Sequence, residues 1–260
     1  MLSNGDLALA LALADAATKT SMRYFRHEMP VHLKPDGSLV SEADLVVERT
    51  LLDMLSTARP NDSVLSEEAF AIQNRPDRRW VIDPIDGTSS FLGGTRDWGT
   101  HIALEVHGRV SVAVLTRPTE GHCWWAASGA GAYRSLLADP LSTRRRLRVS
   151  DAAGLDRARI SGLVDPGSAA ADALRARATW VDDEVCVVAA LLEGRIDALL
   201  DEGGDLWDQA PVTLLVSEAG GKFCDPLGGS RYDMKWALYS NAHLHNGLRE
   251  ILEPHAQAFH

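Results

Sequence analysis

The sequence predicts an α/β protein whose first half is α+β and whose second half alternates helix and strand. Three observations carry that reading. Two long helical patterns open the chain. An alternating apolar run from Thr100 to Tyr133 follows, and short apolar strands then interleave with helical stretches toward the C-terminus.

The first helix is expected over about Leu7–Phe25, built on the Leu/Ala-rich stretch "LALALALADAA". No Lys or Arg precedes it and Asp6 stands where a secretory signal needs positive charge, so it is read as a structural helix. The second, "SEADLVVERTLLDMLSTARP", is opened by Ser41 with Asp44 three residues on and closes before Pro60. "RWVID" is a short strand, and "GTSSF" opens another helix. "THIALEVHGRVSVAVLTRP" and "GHCWWAASGAGAY" alternate in polarity between Gly-containing turns, which predicts an antiparallel meander.

The polar, irregular segment Asp139–Ser150 divides the chain into expected halves 1–138 and 139–260 of one compact unit. Beyond it, "RARISGLV" and "RIDALL" are strands, and "DEVCVVAALLEG" is a helix stopped by Gly194. "DQAPVTLLVSEAGG" is a helix with Pro211 in its first turn. "GKFCD" and "WALYSN" are further strands, and "LREILEPHAQAF" is a closing helix.

At 260 residues, 45% hydrophobic and 24% charged, the chain can bury a large core. Its net charge of −10 argues against nucleic acid or an anionic membrane as partner. No run is long and apolar enough to span a bilayer. The three cysteines, Cys123, Cys186 and Cys224, are odd in number and far apart, which fits a reducing compartment and a cytoplasmic protein.

The chemistry concentrates at "WVIDPIDGTSSF". Two carboxylates three residues apart at the end of an apolar strand repel each other and lose hydration unless a positive partner is near. Pro84 fixes the backbone between Asp83 and Asp86, and the Ile85 carbonyl can face the same way, an all-oxygen set suited to a hard cation such as Mg²⁺. Gly87, Thr88 and Ser89 then open a helix whose backbone N–H groups suit a phosphate. By residue chemistry alone each piece keeps a structural alternative. The aspartate pair can be turn chemistry, Glu67 and Glu68 surface charge, Asp208 an N-cap and Asp44 the acid of a capping box.

Together, "KPDGSLVSEAD", "SEE", "WVIDPIDGT" and "LWDQAPVTLLVSEAGG" stand in the order and spacing of the inositol monophosphatase superfamily of Mg²⁺-dependent phosphatases. The chain resembles that superfamily from about Leu7 to Asn241. Within it, "WVIDPIDGT…F" followed by "W…IAL", the "WWAA.G.GA" run at Trp124–Ala132 and the overall length are most similar to histidinol-phosphate phosphatases of actinobacterial type. The resemblance implies a layered αβαβα sandwich and a homodimer. It implies two to three Mg²⁺ ions, with Glu67, Asp83 and the Ile85 carbonyl holding the first and Asp83, Asp86 and Asp208 the second. Glu67 would help hold a looser third. It also implies that Thr88, paired with Asp44, orients and deprotonates the attacking water, and that Gly87–Ser89 hold the phosphate.

The substrate expected from the resemblance is L-histidinol phosphate. A sugar phosphate or inositol phosphate is the alternative, including an octose bisphosphate of antibiotic biosynthesis. A catalytically silent binding relative is the reading of another class, opposed by the presence of all six of Asp44, Glu67, Asp83, Asp86, Thr88 and Asp208. The substrate shell departs from the superfamily pattern. Asp182, Asp183 and Glu184 stand where a Gly-Ser or Gly-Asp element is usual, and Asp201, with Glu202 beside it, stands where a Glu is usual. Such acids, with Asp86 and Asp208, suit a cationic or polyhydroxylated alcohol.

Overall fold

The computed structural model describes residues 4–68 and 77–255, and divides the chain into two compact units. The first comprises residues 1–128 and 133–145, the second residues 129–132 and 146–260.

In the first unit, α1 (Asn4–Tyr24) is followed by a small hairpin, β1 (Val31–Leu33) and β2 (Leu39–Ser41), and by α2 (Glu42–Ala58). Ser41 and Asp44 form the expected reciprocal capping box at the start of α2. Next come β3 (Ser63–Ser66), β4 (Arg78–Asp86), the short α3 (Thr88–Leu92), β5 (Gly99–Val106), β6 (Arg109–Arg117), β7 (His122–Ala127), β8 (Gly131–Leu136) and β9 (Arg145–Arg146). These strands make one sheet in sequential order. β3 and β4 run parallel, and β4 to β7 form the antiparallel meander that the alternating polarity predicts.

Strand alternation gives this sheet two faces. Trp80, Ile82, Ile102, Leu104, Val112, Val114, Cys123 and Trp125 pack on one side into a cluster with Ala10, Leu13, Ala14 and Ala17 of α1 and Val47, Leu51 and Leu55 of α2. The other side carries the residues in opposite phase, among them Val81, Asp83, His101, Ala103 and the buried cross-strand pair Arg79–Glu105. Polar residues that could not sit in the first cluster are thereby collected on one side.

The second unit holds β10 (Arg159–Leu163), α4 (Ala169–Arg175), β11 (Thr179–Trp180), α5 (Val187–Leu192), β12 (Ala198–Glu202), α6 (Leu206–Glu218), β13 (Gly221–Cys224), β14 (Trp236–Asn241) and α7 (His245–Leu252). Its sheet is mixed, in the order β11-β10-β12-β14-β13, with β10 parallel to both neighbours and β14 antiparallel to both of its own. Ala170, Ala171 and Leu174 of α4 and Leu248 and Leu252 of α7 pack with Ile160, Ala198, Leu200 and Leu238 on one face. Leu199, Asp201 and Tyr239 alternate to the opposite face.

Three helices of this unit differ from the sequence expectation. α5 begins at Val187, not Asp183, because the preceding acids are engaged elsewhere: Asp182 accepts from the Trp180 indole at 2.7 Å and Glu184 pairs with Arg195. α6 begins at Leu206 with Asp205 as its cap residue, so Pro211 lies inside the helix and not in its first turn. That placement removes one backbone bond, to the carbonyl of Trp207. α7 ends at Leu252, since Pro254 carries no donor to prolong it, and the stretch expected to continue from Ala256 lies outside the described residues. The hairpin β1–β2, α4 and β11 were not expected.

Candidate active site

Asp83 and Asp86 are three residues apart, so on a regular strand they would point to opposite faces. The register prevents this. Asp83 stands opposite His101 and Asp86 opposite Gly99, so β4 carries one extra residue between them, a bulge at Pro84 and Ile85. Pro84 has no ladder donor to lose, and a bulge is where a strand tolerates it. The extra residue turns both carboxylates to the side that also carries His101. Gly99 is required there, because a Cβ at that position would lie 1.8 Å from the Thr116 carbonyl oxygen.

Asp83 is only 2% exposed. Asp86 Oδ2 lies 3.2 Å from Arg117 Nη1 and 3.2 Å from His101 Nε2, and Arg117 also reaches Asp97 Oδ1 at 3.4 Å. Burial pushes the Asp86 pKa up, but His101 and then Arg117 outweigh it and hold the carboxyl well below the usual range. Asp83, Asp86 and His101 each present a ligand atom, and these lie within 4.8 Å of one another. Two carboxylates and an imidazole at that spacing fit a divalent cation.

Beyond the bulge, Gly87 takes φ +80, where a Cβ would meet the Asp97 carbonyl oxygen at 2.7 Å. This turn starts α3 and swings Thr88 inward. The Thr88 hydroxyl is shared between Asp44 Oδ1 at 3.3 Å and the Ile85 carbonyl at 3.2 Å. Asp44 Oδ2 accepts from the Ser41 backbone N–H at 2.8 Å and from the Ser41 hydroxyl at 2.5 Å. Asp44 therefore caps α2 and holds Thr88 at once. Burial raises its pKa, against the lowering effect of the two Ser41 bonds.

Glu67 follows β3, and its N–H donates to the Ile82 carbonyl at 3.1 Å, which carries the strand pairing up to Asp83. Lys34 Nζ lies 2.7 Å from Glu67 Oε1 and 3.1 Å from Glu68 Oε1. Burial and the Glu67 charge raise the Glu68 pKa to about 7 despite Lys34.

The structure thus brings Asp44, Thr88 and Ile85 into contact and sets Asp83 beside Asp86. Asp208, in the second unit, is not the cap residue of α6. It is the third helical residue, its Oδ2 accepting from the Asp205 N–H at 2.7 Å. Asp201 is buried on β12, and both it and Asp208 add their charge to the burial that raises the Tyr239 pKa. Glu202 accepts from the Ser168 hydroxyl at 2.9 Å, Asp183 is exposed, and Glu184 is held by Arg195. Lys34, His101 and Arg117 were missed. His101 carried a signal, as the sole titratable side chain in the apolar run Thr100–Leu104.

The profile of the inositol monophosphatase family matches residues 6–257. The chain belongs to the inositol monophosphatase family, and it is a phosphoric monoester hydrolase. It is 47% identical over 252 residues to a Streptomyces griseus protein named glucose-1-phosphate thymidylyltransferase, covering 96% of this chain and 97% of that one. To the histidinol-phosphatase of Mycobacterium tuberculosis it is 35% identical over 266 residues, covering 94% and 96% respectively. Among solved structures, the extragenic suppressor protein SuhB of Bartonella henselae matches with a TM-score of 0.84 at 26% identity, covering 96% of this chain and 99% of that one. The fold is of the inositol monophosphatase type, the family is metal-dependent, and the acidic cluster can bind metal. Among the described residues, no helix is long and apolar enough to cross a membrane.

Proposed function

We propose that the chain hydrolyses L-histidinol phosphate, using Mg²⁺ held by Glu67, Asp83, the Ile85 carbonyl, Asp86 and Asp208. The observation that carries this reading is the bulge at Pro84, which turns Asp83 and Asp86 to one side while Thr88 meets Asp44. Bound there, two to three Mg²⁺ ions would neutralise the phosphoryl and leaving oxygens and lower the pKa of water. The chain's own groups supply the rest.

Thr88 donates its proton to Asp44 and Ile85, which leaves its oxygen lone pairs to accept a hydrogen bond from an attacking water. A proton taken from that water passes through the Thr88 hydroxyl to Asp44, whose raised pKa suits it to hold one. Backbone N–H groups of Gly87, Thr88 and Ser89 orient the phosphate for in-line attack. Asp201, with Asp182, Asp183 and Glu202, faces the alcohol part of the substrate.

The 35% identity to the M. tuberculosis histidinol-phosphatase supports the amino-alcohol substrate. A sugar phosphate is the second reading, and what favours it is the sugar-phosphate name of the S. griseus relative at 47% identity. Comparing kcat/KM for histidinol phosphate, inositol 1-phosphate and several sugar phosphates at fixed Mg²⁺ decides between them. A tenfold or greater preference for a sugar phosphate overturns the histidinol assignment. We infer a cytoplasmic homodimer as well, which fits the three free thiols and which sedimentation equilibrium tests directly.

A further inference from the structure

The bulge that turns Asp83 and Asp86 to one side has to be held in place. Asp83 stands opposite His101 and Asp86 opposite Gly99, so Pro84 and Ile85 both face the one residue between, Thr100. Thr100 is wholly buried. Trp98 and Ile102, two residues to either side of it, belong to the apolar cluster with α1 and α2. Its side chain therefore points to that face, away from His101 and Asp83, and is no ligand for a cation on the carboxylate side.

Valine would suit such apolar surroundings by shape, yet the chain places a hydroxyl there. That hydroxyl donates to the Pro84 carbonyl at 2.9 Å. The Thr100 backbone N–H donates to the buried Thr116 hydroxyl oxygen at 2.8 Å, one step beyond His101–Leu115, the last backbone pair of β5 with β6. Thr100 is thus fixed to β6 by its backbone and holds β4 by its side chain. The other carbonyl of the bulge, that of Ile85, receives the Thr88 hydroxyl at 3.2 Å. The two peptide planes leading from Pro84 into Asp86 are each pinned by a threonine. Without the Thr100 bond the Pro84 carbonyl would lose a donor in a buried setting, and its plane would turn to find another, moving Asp86 with it.

We propose that Thr100 is a positioning residue for the metal site: through the Pro84 carbonyl it fixes the direction of the Ile85 carbonyl and the Asp86 carboxylate relative to Asp83. The proposal rests on the reading of Asp83, Ile85 and Asp86 as metal ligands. If the bond served the fold alone, its loss would show in stability alone. A positioning role shows in the cation affinity of a protein that is still folded.

The test titrates Mg²⁺ calorimetrically into metal-stripped, full-length wild type, Thr100→Val, Thr100→Ala and Thr100→Ser, with circular dichroism confirming the fold. Valine keeps the branched shape without the hydroxyl, serine keeps the hydroxyl without the methyl, and alanine keeps neither. The expected result is a Mg²⁺ affinity lowered about tenfold to hundredfold in Thr100→Val and Thr100→Ala, and within about threefold of wild type in Thr100→Ser. A lowered Tm with unchanged Mg²⁺ affinity in the folded valine or alanine variant overturns the proposal and leaves the metal ligands as assigned. So does a serine variant that binds as weakly as alanine, and this pair decides the matter if Thr100→Val does not fold. Failure of the wild type to bind Mg²⁺ overturns both.

Discussion

Asp44 Oδ1 receives the Thr88 hydroxyl while Asp44 Oδ2 receives both the N–H and the hydroxyl of Ser41. One carboxylate therefore ties the start of α2 to the start of α3, and its orientation toward Thr88 is set by the cap on its other oxygen. Capping and the proposed catalytic role compete as explanations in the sequence, but they use different oxygens of Asp44 and do not exclude each other.

Asp44→Asn separates the two roles. At this third position of the capping box the Asn amide oxygen can still accept the Ser41 N–H, so the variant should stay folded and lose about 1 kcal/mol or less. As proton acceptor it fails, and kcat should fall about 10²–10⁴-fold with Mg²⁺ affinity nearly unchanged. Thr88→Ala should behave alike. Unaltered turnover in Asp44→Asn would confine Asp44 to capping.

Gly99→Ala tests the bulge. Its methyl group would collide with the Thr116 carbonyl and push β5 away from β6, on the strand that faces Asp86. A loss of about 1–3 kcal/mol and a lowered Tm are expected, with activity falling further than stability alone explains. A melt and activity like wild type would show that the register does not depend on this close approach.

What was legible in the sequence was local. The Ser41–Asp44 box, the meander and the Asp-Pro-Ile-Asp turn are written in short spacings whose physics acts over a few residues. Lys34 with Glu67, Asp86 with Arg117 and His101 opposite Asp83 were not legible, because strand register joins residues far apart in the chain. The structural alternative of a helix cap goes to Asp205 and not to Asp208, because Asp205 sits one helical turn earlier in the same acidic stretch. The sequence could not show that Glu184 is occupied by Arg195, a contact between the segments that precede and follow α5.

That contact reshapes the specificity map. Asp201→Asn should lower kcat/KM on histidinol phosphate about tenfold to hundredfold and change little for p-nitrophenyl phosphate, which offers no ammonium to read. Glu184→Gln should act mainly on stability through Arg195 and only weakly on specificity. Equal losses on both esters in Asp201→Asn would assign that residue to supporting the metal core.

Acid sensitivity should arise in part from His245. Burial first, then the charges of Lys222 and Arg249, lower its pKa from 6.5 to about 4, and its Nδ1 lies 2.7 Å from the Ser240 hydroxyl. The unfolded chain then takes up the proton before the folded one does. Stability is fully present above pH 6.5 and lost as pH falls toward 4, by about 1–3 kcal/mol. His245→Asn should flatten the dependence of Tm on pH across that window. An equally steep profile in the variant would place the acid sensitivity elsewhere.

The central claim is that cations held by Asp83 and its neighbours drive hydrolysis of a phosphate monoester. Phosphate release from histidinol phosphate, measured while Mg²⁺ is titrated into chelator-stripped protein, tests it most directly. No turnover in EDTA, saturable recovery with Mg²⁺ and no recovery in a folded Asp83→Asn variant are the predicted results. Full turnover in excess EDTA, or by Asp83→Asn, would contradict the account.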